Sequence, residues 1–330
     1  MISEQNAFST FGLNVTDVSF KLAATSLQNN SLPDPGSVRS EEFLNAFQYR
    51  DPEPAPGVPV AFRSERARYP FAHDRDVLRL SVKTAAQGRE AAKPLNLVLL
   101  LDNSGSMERA DRVAILRSML QELARQLKPQ DRISVVTFAR TAQLRVDGQS
   151  AAPANAWIEQ LGDPTPEGGT NLEEALKLGY ATCARHFSPG GVNRVVLLTD
   201  GAANLGELDE QKLTQSVTAG RQQGLALDCF GVGWEGFNDQ LLATLSKHGD
   251  GRYGFINSTE DAAQEFAGRL AGALQVAASD VKVQVQFNPQ RTRIWRQIGY
   301  AQHQLTAQQF RDNTVDAAEL GAAEAGQALY

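Results

Sequence analysis

The chain has 330 residues, of which 42% are hydrophobic and 21% charged, and its formal net charge is -6 at pH 7. That length suits a large core plus a smaller module, and the composition is that of an ordinary globular protein. An acidic balance without clustered Lys and Arg argues against nucleic acid as a partner and against anionic membrane surfaces.

No run of about 18 apolar residues occurs, so no direct membrane span is expected. Residues 1–20 carry Glu4, Asn6 and Asp17 and lack an apolar h-region, so no signal peptide is read there. The two cysteines, Cys183 and Cys229, form neither a CxxC nor a four-ligand zinc spacing, and read as buried small hydrophobes.

Three regions are distinguished by patterning. Residues 1–92 are mixed, 93–276 alternate strand and helix, and 277–330 turn to β-like patterning and then to Gln- and Ala-rich sequence. Asp51 to Pro59 is Pro-rich and reads as an extended linker. Leu78, Leu80 and Val82 alternate with Arg79, Ser81 and Lys83, the period of a half-buried strand.

In the middle region, Leu97 to Leu101 is a continuous apolar run, as in a strand buried on both faces. Val113, Leu116, Leu120, Leu123 and Leu127 predict a helix that Pro129 ends. Strands are predicted at Ile133–Ala139, Val195–Leu198, Leu225–Phe230 and Arg252–Ile256, and helices at Asn171–Phe187, Lys212–Gln223 and Asn238–Lys247. A last helix opens at Ser258, with a near capping box to Asp261, and runs to about Val276. Such alternation predicts an α/β unit with a mostly parallel sheet covered by helices on both faces.

Beyond it, Val281, Val283, Val285 and Phe287 alternate with polar residues. With Leu78–Val82 they predict a smaller β-rich module built from both flanks, the α/β unit being inserted between its strands. No closing strand signal precedes Tyr330, so the C-terminal module is read as incomplete.

Open parallel sheets bind ligands beyond the C-terminal ends of their strands. There the first apolar strand runs into Asp102-Asn103-Ser104-Gly105-Ser106, a later one into Thr199-Asp200-Gly201, and Gly168-Gly169-Thr170 opens a helix. Hard divalent cations take oxygen ligands, and these segments offer five oxygen-bearing side chains: Asp102, Ser104, Ser106, Thr170 and Asp200. About one octahedral position is left for water or a partner's carboxylate. Mg²⁺ is expected from ligand hardness, with Mn²⁺ or Ca²⁺ able to substitute.

The Asp102-x-Ser104-x-Ser106, Thr170 and Asp200 set resembles the metal-ion-dependent adhesion site of von Willebrand factor type A (VWA) domains, a likeness covering roughly residues 93–276. The resemblance implies a Rossmann-like VWA fold in which Ser104, Ser106 and Thr170 touch the metal, while Asp102 and Asp200 act through water or hydrogen bonds. Ser9-Thr10-Phe11-Gly12-Leu13-Asn14-Val15, Val38-Arg39-Ser40-Glu41-Glu42, Phe287-Asn288-Pro289 and Ile298-Gly299-Tyr300 are similar to bacterial VWA proteins of the YfbK type. That similarity implies further chain beyond the equivalent of Tyr330 and a setting in the bacterial cell envelope or outside the cell, with the cytoplasm as the alternative.

Rival motifs are weaker. Gly231-Val232-Gly233-Trp234-Glu235-Gly236 spells GxGxxG, but it comes late in the unit and no acidic strand end follows, so it reads as a plain strand-to-helix loop. Asp102 lacks the second Asp of haloacid-dehalogenase phosphoryl transfer, and no GxSxG surrounds Ser104 or Ser106. His73, His186, His248 and His303 are dispersed without an HExxH. Glu167 and Asn204 lie near the site and read as solvated loop residues.

No catalytic set converges, so the chain is expected not to be an enzyme. The expected function is metal-dependent protein binding, the partner presenting Glu or Asp to the cation. The alternative is a VWA subunit of an AAA+ ATPase-driven or envelope assembly complex. Oligomeric state is not legible.

Overall fold

The computed structural model describes residues 1–86, 93–152, 156–161, 167–234, 236–266, 268, 276–312, 315 and 317–330. The chain divides into two compact units, residues 1–88 with 275–330 and residues 89–274. Among the described residues no helix is long and apolar enough to cross a membrane.

The first unit begins with strand β1 (Phe8–Gly12), helix α1 (Val18–Gln28) and helix α2 (Ser40–Asn45). The region read as mixed thus contains helices and strands besides the one read at Leu78–Val82. The two helices are locked by the buried Glu42 carboxylate, which accepts the Ser19 N–H at 2.6 Å and pairs with Arg39 at 2.5 Å. Strands β2 (Val60–Arg68) and β3 (Asp76–Thr84) follow as an antiparallel pair. The Asp51–Pro59 stretch lacks helix and strand as expected, yet it is not a free linker. Arg79 donates to the Asp51 carboxylate at 2.9 Å, and Gln327 does so at 2.8 Å.

The second unit is a six-stranded sheet of order β6-β5-β4-β7-β8-β9. Its strands are β4 (Leu95–Asp102), β5 (Arg132–Phe138), β6 (Ala142–Ser150), β7 (Val192–Thr199), β8 (Ala226–Val232) and β9 (Tyr253–Ile256). All pair in parallel except β6, which runs antiparallel to β5 at the edge. Every residue of β4 is buried, as its unbroken apolar run requires of a central strand. Helices α3 (Ala110–Gln126), α4 (Ala156–Leu161), α5 (Leu172–Arg185), α6 (Glu210–Gln222) and α7 (Asp239–His248) cover the sheet. Leu95, Leu97, Leu99 and Leu101 share one core with Ile115, Met119 and Leu123 of α3. On the opposite face α5 packs closely on Leu100, beside Gly179.

Three expectations need correction here. The buried stripe of α3 is Arg112, Ile115, Met119, Leu120 and Leu123, while Val113 is exposed. Leu120 and Leu123 are buried as expected and Leu116 and Leu127 pack against the core, so only the first turn departs from the reading, with Arg112 turned inward beside the exposed Val113. Strand β6 was not expected, because an edge strand with one polar face carries little apolar signal. The last helix does not reach Val276, which opens the next strand. Its described part is a helical turn at Thr259–Asp261 widening into a π-helix at Ala262–Phe266, and the remainder lies largely outside the described residues.

The first unit closes with β10 (Val276–Gln286), β11 (Ala318–Gly321) and β12 (Ala325–Leu329). They complete two antiparallel three-stranded sheets, β1-β10-β11 and β12-β3-β2. The two alternating segments read from the sequence fall in different sheets, and both line one core of Phe11, Leu80, Phe287, Trp295, Tyr300 and Tyr330. Phe287 stacks on Trp295 with centroids 5.0 Å apart, and the buried Tyr300 hydroxyl donates to the Gln327 carbonyl at 2.7 Å. A closing strand is therefore present where none was expected. Its Ala-Gly-Gln-Ala-Leu sequence has no β-branched residue, and pairing with β3 alone makes it a strand.

Phe11 is fully buried with its ring 4.7 Å from that of Tyr300. Phe11→Ala should destabilise the first unit by about 3 to 5 kcal/mol. Denaturant titration checks this, and a loss below about 1 kcal/mol would contradict the packing described.

Candidate metal centre

In-register pairing sets Leu101 beside Leu198, so β4 and β7 end side by side and release Asp102 and Asp200 at one edge. The Asp102 side chain is 2% exposed. Its Oδ1 accepts the Ser104 N–H at 2.8 Å, and its Oδ2 accepts the Thr199 hydroxyl at 2.5 Å. The Ser104 carbonyl accepts the Met107 N–H at 2.9 Å, which curls the loop into a short helical turn at Gly105–Glu108. That turn brings the Ser104 and Ser106 hydroxyl oxygens to 3.1 Å.

Asp200 is 1% exposed, and both of its oxygens are also engaged. Oδ1 accepts the Ala202 N–H at 3.0 Å, and Oδ2 accepts Arg112 Nη1 at 2.5 Å. The same Nη1 donates to the Ser106 carbonyl at 3.1 Å, joining the serine loop to the end of β7.

Thr170 is buried just before α5, whose N-cap Asn171 accepts the Glu174 N–H at 3.1 Å. The Thr170 N–H donates to Asn204 Oδ1 at 2.8 Å, and its carbonyl accepts the N–H groups of Asn204 and Leu205 at 3.1 Å each. Gly169 precedes it with φ 92°, and a Cβ there would lie 2.3 Å from the Leu205 side chain, so this approach requires glycine. The segment is tied to the serine loop by the Glu167 N–H, which donates to the Asn103 carbonyl at 3.2 Å.

The five residues read from the sequence therefore gather at one sheet edge. Asp102, Ser104, Ser106 and Asp200 share direct or one-partner hydrogen-bond links, and Thr170 is attached through backbone contacts of Asn204 and Glu167. Asn204 is an exposed loop residue as read, and it also holds Thr170, accepting its N–H and donating to its carbonyl. Thr199 and Arg112 were missed. A sequence signal for Arg112 did exist, since it lies three positions before Ile115 on the inward stripe of α3, where a charge needs a buried partner.

The donor chemistry fits a hard cation. Adjacent oxygens of an octahedron with ~2.1 Å bonds lie roughly 3.0 Å apart, close to the 3.1 Å between the two serine hydroxyls. Among the described residues no group of three or more His, Cys, Asp or Glu side chains is placed to hold a metal.

The rival motifs have structural explanations. A Cβ on Gly231 would lie 1.8 Å from the Phe237 ring, so this glycine makes room for an aromatic residue; Glu235 of the same motif lies outside the described residues. Cys183 and Cys229 are free and buried. His186 contacts Asp147 at 2.6 Å on the opposite side of β5 from β4, in a surface ion cluster.

Burial pushes the Asp102 carboxyl up to about 6, and the Asp200 charge adds to the shift; hydrogen bonds from Ser104 and Thr199 offset only part of it. An unfolded Asp titrates at about 3.9, so the folded state binds more protons and this group favours folding increasingly as pH falls from about 6 to about 4. In urea titrations of chelator-treated protein, Asp102 should favour the fold at pH 5 over pH 7 by about 1 kcal/mol. Asp102→Asn should remove that contribution; unchanged pH dependence in the variant would contradict it.

Comparisons with known proteins agree with this architecture. A family model for the von Willebrand factor type A domain matches residues 96–269, one described as von Willebrand factor matches residues 1–79, and one for the C-terminal part of uncharacterized protein YfbK matches residues 272–330. Over 328 residues the chain is 34% identical to uncharacterized protein YfbK of Escherichia coli K12, a match covering 96% of this chain and 56% of that relative. It is 27% identical over 213 residues to uncharacterized protein sll0103 of Synechocystis, covering 64% of this chain and 50% of the other. The chain thus spans about half the length of these curated relatives. A solved von Willebrand factor type A structure from Catenulispora acidiphila superposes with a TM-score of 0.53 at 17% identity, over 86% of this chain and 66% of that one, which shows likeness of fold. With the type A model matched over more than half its length, the chain belongs to the von Willebrand factor type A domain family, a family of protein-interaction modules.

Proposed function

We propose that the chain is a non-enzymatic, metal-dependent protein-binding module. In this reading Ser104, Ser106 and Thr170 hold a divalent cation through their hydroxyls, and a partner protein docks through a Glu or Asp carboxylate. One observation carries the proposal. All four oxygens of Asp102 and Asp200 already accept hydrogen bonds inside the protein, while the Ser104 and Ser106 hydroxyls converge. In this reading the carboxylates stay behind the hydroxyls, supplying charge without taking coordination positions. Mg²⁺ fits this all-oxygen set, and Mn²⁺ or Ca²⁺ is an acceptable substitute.

The bound ion supplies a Lewis-acid docking point for an anionic oxygen. The chain's residues do the rest. Thr199 and the Ser104 N–H hold Asp102 in one rotamer, and the turn at Gly105–Glu108 keeps the two serine hydroxyls adjacent. Asn204 fixes the backbone of Thr170. Without a cation, Asp102 and Asp200 repel an incoming carboxylate, so docking depends on the metal.

Calorimetric titration of chelator-treated protein with Mn²⁺ and Mg²⁺ tests this. Saturable one-site binding is expected, falling at least about tenfold in Ser104→Ala, which loses one inner ligand at a cost of about 1.4 kcal/mol or more. Glutamate-bearing peptides should bind only the loaded protein. Absence of saturable cation binding, or equal affinity in Ser104→Ala, would overturn the assignment.

A further inference from the structure

We propose that Arg112 is a positioning residue that holds Asp200 away from the cation and leaves the loaded centre one positive charge in excess, so that an anionic carboxylate is the ligand it selects. The inference rests on the metal-binding reading above and concerns how that site is tuned.

A guanidinium beside a cation site repels the ion it is meant to admit, so its presence there has to be explained. Arg112 projects from the first turn of α3 with a side chain only 3% exposed, against 1% for Asp200. Its Nη1 donates both to Asp200 Oδ2 at 2.5 Å and to the Ser106 carbonyl at 3.1 Å. The Ala202 N–H takes the other Asp200 oxygen at 3.0 Å. With both oxygens committed, Asp200 cannot turn into the inner shell without breaking an ion pair.

A tight turn lies against this side chain. Gly233, at the end of β8, has φ 75°, and a Cβ there would lie 2.7 Å from Arg112 Nε and 3.3 Å from its Cγ. The second glycine of the GxGxxG-like run thus leaves room for the arginine.

Charge then decides the ligand. Asp102 and Asp200 carry two negative charges, Arg112 neutralises one, and a divalent ion more than neutralises the other. One positive charge remains in a buried setting, and only an anion from outside can cancel it. Replacing Arg112 by a neutral residue would let the two carboxylates satisfy the ion on their own. The cation would be held more tightly and would attract a carboxylate less.

The test compares the parent with Arg112→Gln, Arg112→Lys and the double variant Arg112→Gln/Asp200→Asn, titrating each with Mn²⁺ and then titrating the Mn²⁺-loaded protein with acetate as the carboxylate probe. Arg112→Gln should bind Mn²⁺ about tenfold more tightly or better and bind acetate correspondingly less well. Arg112→Lys keeps the charge and should stay near the parent in both. The double variant restores the parent's local charge without leaving Asp200 buried and unpaired, so it covers the case in which Arg112→Gln fails to fold; it should lie within a few-fold of the parent. A purely structural arginine predicts weaker Mn²⁺ binding on substitution. Unchanged or weaker Mn²⁺ binding by folded Arg112→Gln, or tighter Mn²⁺ binding by Arg112→Lys, would overturn the proposal and leave the metal site standing. If Arg112→Gln does not fold, a double variant far from the parent would do the same. A parent that binds no Mn²⁺ would reject both readings.

Discussion

Two carboxylates with almost no exposure stand at the ends of adjacent parallel strands, and the edge of the α/β unit is organised by the need to keep them hydrogen-bonded. Asp102 is held by the Ser104 N–H and the Thr199 hydroxyl, and Asp200 by Arg112 and the Ala202 N–H. Each of these donors belongs to the last residue of a strand, to the first residues beyond one, or to the first turn of α3. The two carboxylates are therefore fixed by named partners before any ion arrives. Such preorganisation suits an ion-binding centre, because the ordering cost is met during folding.

The remaining constraint is how the loops reach one another. Thr170 comes from a segment between β6 and α5, distant in sequence from both aspartates, and it is brought in by backbone exchange with Asn204 on one side and with the Asn103–Glu167 contact on the other. The hydroxyl-bearing loops thus share hydrogen bonds with the loop after β7.

The first unit follows a different logic. Its two small sheets each combine strands from the beginning and the end of the chain, and residues of both sheets line one core. Aromatic residues supply the interior: Phe11 and Tyr300 at one contact, Phe287, Trp295 and Tyr330 at another. Large rings bury much area per residue, which lets thin three-stranded sheets of modest apolar content pack stably.

The central strands and covering helices of the α/β unit were legible because strands buried on both faces must be continuously apolar and helices must show one apolar stripe. The five oxygen-bearing residues were legible for a related reason. A strand that ends in Asp, followed by small hydroxyl residues and glycine, has few uses other than turning or holding a ligand. What escaped was everything that depends on a distant partner. Strand β12 has no strand-forming residues of its own and exists because β3 accepts it, and β6 is an edge strand stabilised by β5. The first turn of α3 was misread because its inward face carries Arg112, whose burial makes sense only once Asp200 is opposite it. Local patterning therefore determined the layers of the α/β unit and the chemistry of its strand ends. The pairing of strands far apart in sequence, and the matching of a buried cation to a buried anion, were decided by the tertiary structure, because the free energy of each depends on a partner that no local window contains.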